Sequence, residues 1–95
     1  MDNEYILCAA IWYTSAEEHT YNPINVDQGR VVCGYRHDRC IYLLHDMGYE
    51  MKDEYMVQGF LTSNNRFVDR FEAGQIAESA HQWEGNGMLF SEDLY

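Results

Sequence analysis

Six basic side chains serve a chain of 95 residues, and five of them are arginine: Arg30, Arg36, Arg39, Arg66 and Arg70, beside a single Lys52. Lysine is the usual solubilising cation. Arginine instead presents a planar fork that grips phosphate or carboxylate through two N–H groups, and its face stacks on aromatic rings. Arg36 precedes one expected helix and Arg70 opens another. A cation there opposes the helix dipole, whereas an anion at the free N–H groups of a helix start is favoured. Tyr13, Tyr35, Phe60 and Phe67 lie next to the arginine-bearing segments. Rings interleaved with arginines suit a ligand that joins a base to a phosphate: rings stack on the base and forks hold the phosphate. The opposing reading pairs the arginines with surface carboxylates and puts the rings in a core or an oligomer interface. Arg39 reads as a solvated helix residue.

Other chemistry is weaker. His37 and His45 stand eight residues apart, about two helical turns, and so share roughly one face. Such a pair suits acid–base hydrolysis or metal binding, or serves as a cap and a half-buried polar group. A metal set of Cys33, His37 and Cys40, completed by Cys8 or His45, has a spacing that matches no compact zinc pattern. Three cysteines without a CxxC pair point to a reducing compartment, where thiols act as small buried hydrophobes. His19 and His81 have no supporting neighbours. GxSxG, HExxH and Walker patterns are absent, and the glycines are too sparse to cradle a polyphosphate. The expectation is a protein that is not an enzyme, with no cofactor and no metal.

Sixteen acidic residues bring the formal charge to −10. That disfavours long nucleic acid, which needs a basic face, and anionic membrane. No apolar run is long enough to span a bilayer and no leader is evident, so a cytoplasmic protein is expected. A hydrophobic share of 46% with 15% aromatics excludes a disordered acidic tail. The length allows one domain, residues 1–95, able to bury roughly 60–70% of its unfolded surface without disulfides. Aromatics beyond what such a core needs suggest self-association as a dimer or tetramer.

The elements that must position these residues follow from pattern. Ile6–Tyr13 is apolar on both alternating faces, as in a central strand covered on both sides. Residues 14–28 are polar, hold the only proline, and read as a long loop. A turn at Asp27-Gln28-Gly29 leads to a strand over residues 30–33, paired antiparallel with the first. A helix starts near His37 or Asp38 and runs to Met47, with Gly48 as its stop. Cys40, Ile41, Leu44 and Met47 share its apolar face. Met56–Thr62 is the third strand, Ser63-Asn64-Asn65 a tight turn, and residues 66–68 a return strand. Asp69 and Glu72 form a capping box for a second helix over residues 70–82, which buries Ala73, Ile76, Ala77 and Ala80. Residues 88–90 form a last strand. The sum is a small α+β domain, an antiparallel sheet with two helices in the order ββαββα(β).

Three segments carry a resemblance. Gly34-Tyr35-Arg36-His37, the block from Gln58 through Arg66-Phe67-Val68-Asp69-Arg70 to Ala77, and the terminal Leu89-Phe90-Ser91-Glu92-Asp93-Leu94-Tyr95 resemble short phage-encoded proteins. Those proteins share GxRH, QGFxTSxxRFVxRxEAxxIA and SEDLY/SEDLW elements, and the likeness covers about two thirds of the chain. It implies a viral sponge of the anti-CBASS type: oligomeric, and binding a cyclic nucleotide signal without cleaving it. It would place Arg36, His37, Gln58, Gly59, Phe60, Arg66, Phe67 and Arg70 at or near the pocket, with Ser91-Glu92-Asp93 packed back to support it. Tyr13 joins them as a stacking ring. Two other functions compete. One is an acidic inhibitor or DNA mimic that binds a host factor, although the carboxylates are scattered rather than arrayed. The other is a small nucleotide hydrolase using His37 or His45.

Overall fold

The computed structural model describes residues 4–15, 22–85 and 87–94. His19, Asn86, Tyr95 and the middle of the 14–28 loop lie outside the described residues. Four strands form one antiparallel sheet: β1 (Ile6–Tyr13), β2 (Arg30–Gly34), β3 (Met56–Thr62) and β4 (Phe67–Asp69), in the order β2-β1-β3-β4. Two helices, α1 (His37–Asp46) and α2 (Arg70–Ser79), complete the α+β fold.

β1 is central because it is apolar on both faces. Its Ile11 pairs with Val32 on one side and Gln58 on the other. One face gives Ile6, Ala9, Ile11 and Tyr13 to the main core, where Phe60, Val68, Leu44 and Ala77 meet them. The alanines of β1 and α2 are fully buried, which brings helix backbone close to the sheet. The other face carries Ala10 and Phe67, covered by Val26 from the 14–28 loop. Residues 22–28 of that loop form a strap across the sheet. Its Asn25 side chain bonds both backbone groups of Phe67 on edge strand β4, donating to O at 2.6 Å and accepting from N at 2.8 Å. Asn22 accepts from Val31 N on the opposite edge strand at 3.3 Å and donates to Gly29 O at 2.8 Å. Gln82 bonds both backbone groups of Ile6 in the same manner.

The β3–β4 turn places Asn65 at φ 59°, the left-handed conformation that asparagine tolerates. Asp69 caps α2 by accepting from Glu72 N at 2.8 Å. The box is only half made, because the Glu72 carboxylate turns to Arg66 Nη2 at 3.1 Å. α1 ends on Gly48, at φ 90°, with Tyr49 N bonded back to Leu44 O. α2 ends the same way with His81 in glycine's place, at φ 59°, and Gln82 N bonded to Ala77 O.

Four expectations are corrected. α2 stops at Ser79 instead of Gln82, since His81 turns the chain. Residues 88–90 form no strand: Leu89 N bonds Arg70 O at 3.0 Å, so this segment crosses the start of α2 rather than joining the sheet. Met47 lies beyond the end of α1 and is exposed, its sulfur accepting from Arg30 Nη1. His37 is buried and His45 exposed. Eight residues rotate a helix by two full turns plus about 80°, which takes them off a common face.

Candidate functional site

Both helices lie on the same face of the sheet, and their first residues flank one cleft of about 160 Å³. Arg36 and His37 come from the start of α1, Gln58 from β3 and Arg70 from the start of α2. The C-terminal segment closes the remaining side with Phe90, Ser91 and Glu92. The three segments that stand out in the sequence therefore meet here, from positions more than fifty residues apart. Leu89, fully buried, anchors the last of them.

Arg36 occupies the N-cap position of α1, where a hydroxyl or carboxylate would normally accept a helix N–H, and it makes no such bond. The start of α1 thus meets the cleft without a side-chain cap, and Asp38 in its first turn supplies the carboxylate that the helix dipole favours there. Arg70 is held on two sides. Its Nη2 donates to Gln58 Oε1 at 2.5 Å, and its guanidinium lies 4.7 Å above the Phe90 ring. Its Nε–H is buried without a hydrogen-bond partner. Among the described residues Arg70 forms no ion pair with a carboxylate. A buried unmet donor costs about 1–3 kcal/mol, so a pure stability element would not retain one.

His37 is 6% exposed. Its Nε2 lies 2.8 Å from Gly59 O, and a carbonyl only accepts, so Nε2 carries the proton. Its ring meets Phe60 edge-on at 5.1 Å. Gly59 is required as glycine, since a Cβ there would stand 2.1 Å from Val68 O and 2.7 Å from Phe67 Cζ. Burial pushes the imidazole pKa below its usual 6.5; Arg70 adds to that, while the Gly59 hydrogen bond, Glu92 and Asp38 oppose it. The native ring is therefore neutral where an unfolded one would begin to charge. Its contribution to stability is complete above pH 6.5 and is lost as the pH falls from there through the lower native value. Melting temperature should drop between pH 7.5 and pH 5.5, and the drop should shrink in His37→Gln. An equal drop in both proteins would refute this.

Of the expected site residues, Arg36, His37, Gln58 and Arg70 line the cleft. Gly59 and Phe60 stand behind it, supporting His37. Tyr13, Arg66 and Phe67 are engaged elsewhere. Tyr13 is in the core, its hydroxyl donating to Glu50 O at 2.8 Å. Arg66 forks onto Glu4 with two 2.9 Å bonds, which hold the Glu4 carboxyl below its usual pKa. Phe67 lies under the strap on the opposite sheet face. Asp38, Ile41 and Phe90 also line the cleft and were not among the expected site residues. Phe90 had one signal: an arginine opening a helix needs a face to rest on.

Cys40 is fully buried, whereas Cys8 and Cys33 are half-buried, and no group of three metal-ligating side chains occurs among the described residues. No described helix is long and apolar enough to cross a membrane. A larger hollow of about 490 Å³ lies beside Glu78, His81, Trp83 and Glu84, but it holds no arginine. The Arg36–Arg70 cleft is smaller than the ~300 Å³ at which pockets begin to engulf a whole small molecule. It can clasp the anionic part of a ligand and leave the rest outside. In comparisons with known proteins, no curated protein and no solved structure matches the chain. One family model, described as Phage T4 y16D protein, matches residues 5–95.

Proposed function

The chain belongs to the Phage T4 y16D protein family, and from the geometry of its cleft we propose that it binds and sequesters a cyclic nucleotide immune signal of the infected host. It would thereby blunt an anti-phage defence in the manner of anti-CBASS sponges. The observation that carries this reading is the Arg70 guanidinium, fixed by Gln58 and Phe90 beside Arg36, with a buried N–H left to give. Charge-assisted bonds from arginine to phosphate are roughly twice as strong as neutral ones and often bidentate.

Binding without turnover suits the same cleft. Ser91, His37 and Glu92 all line it, yet no hydrogen bond joins Ser91 Oγ to His37. The one ring nitrogen whose bond is defined donates to Gly59, which makes His37 a fixed wall. The reading extends to a dimer or tetramer, supported by the exposed rings of Tyr35, Tyr42 and Phe71. Action in the host cytoplasm follows from the proposed ligand.

The test is mass spectrometry of nucleotides released from the purified protein, with thermal-shift titration against cyclic di- and trinucleotides and cyclic ADP-ribose isomers. An intact ligand and a shifted melt are expected. A cleaved product that disappears in His37→Ala would replace the sponge with a hydrolase. No nucleotide and no shift, together with a stoichiometric host protein from lysate, would replace it with an acidic inhibitor.

A further inference from the structure

Resting on the nucleotide reading, we infer that the cleft selects a singly charged phosphodiester flanked by a hydrogen-bond donor, and rejects phosphate monoesters and polyphosphates. The two arginines of the cleft, Arg36 and Arg70, are matched in number by two carboxylates, Asp38 and Glu92. His37 adds no charge near neutral pH, because its buried ring is disfavoured as a cation. The balanced set accommodates one negative charge beside the Arg70 guanidinium. A second charge on the same phosphate, or a chain of phosphates, would face Asp38 and Glu92 across a cleft of about 160 Å³. Asp38 and Glu92 are exposed, so solvent moderates this repulsion, yet every further negative charge on the ligand adds to it.

The carboxylates have a second effect. Ionised Asp and Glu only accept hydrogen bonds. A ligand that brings a sugar hydroxyl or a base amine beside its diester satisfies them; bare phosphate does not. This is selection by repulsion as well as attraction. Glu92 is the residue to test, since it is exposed on the short 3₁₀ turn Ser91–Asp93 and its replacement leaves the core untouched.

The experiment compares cyclic di-AMP and cyclic di-GMP with their linear 5′-phosphorylated forms, and with ATP and GTP, by calorimetry on the full chain. The cyclic forms should bind at least tenfold more tightly. Glu92→Gln should raise affinity for the linear monoesters about tenfold and weaken the cyclic forms, which lose a charged acceptor, so that the gap between them closes; a preference set by ring shape alone would not move. Equal binding of cyclic and linear forms, or a gap that Glu92→Gln leaves intact, would overturn the inference and spare the nucleotide reading. Failure to bind any of the six, a cyclic trinucleotide or a cyclic ADP-ribose isomer would overturn both.

Discussion

Arg70→Ala should weaken binding of the cyclic nucleotide about ten- to a hundredfold, on the order of 1.5–3 kcal/mol for a charge-assisted hydrogen bond. The ligand-free protein should melt at the same temperature or higher. The two halves of this result have separate causes. The side chain contributes a guanidinium stacked on Phe90 and one bond to Gln58. Against that stand a buried N–H with no partner and a cation at the start of α2, where the helix dipole repels it. A cation–π contact is worth about 0.5–2 kcal/mol, comparable to the cost of the unmet donor. The carbonyl that receives Leu89 N belongs to the backbone and survives the substitution. Calorimetry and thermal melts decide the matter together. A ligand-free melt several degrees lower, with affinity unchanged, would make Arg70 structural.

Phe60→Ala should have the largest effect on folding, a loss of about 3–5 kcal/mol. Phe60 is the largest fully buried side chain and sits on β3 where the sheet meets both helices. A domain of this size has about 5–15 kcal/mol in total, so the variant would be partly unfolded at body temperature. The same ring holds His37 edge-on, so nucleotide affinity should fall even in the folded fraction. Urea unfolding measures the first effect. A loss below about 1 kcal/mol would mean the surrounding chains collapse into the gap.

Much of this architecture was legible in the residue pattern because it is local. The double-sided apolarity of β1, the asparagine at the tight turn and the Asp69 cap each need only a few neighbours, and each is present. What places a residue in the cleft or away from it is not local. Arg66 looked like a pocket residue because its partner Glu4 lies 62 positions away. Phe67 looked like a stacking ring, yet Val68 points to the main core and strand alternation sends Phe67 the other way. Phe90 and Asp38 were missed as cleft residues for the same reason, since a cleft between two helix starts and a C-terminal segment has no signature in any one of them. Arg36 and Arg70 were legible because a cation at a helix start is anomalous without reference to its neighbours.

The three side-chain amides on the sheet have a consequence for how this molecule meets others. A strand edge invites another strand because its donors and acceptors repeat along its length. Asn25 engages both free groups of Phe67, Gln82 does so at Ile6, and Asn22 takes the amide of Val31. An amide group has the hydrogen-bonding pattern of a single peptide unit and nothing to follow it. Each one therefore ends a ladder that a neighbouring chain would otherwise extend. An aromatic-rich member of a phage protein family is thus turned away from fibre growth at those points, and contacts between copies are left to side chains.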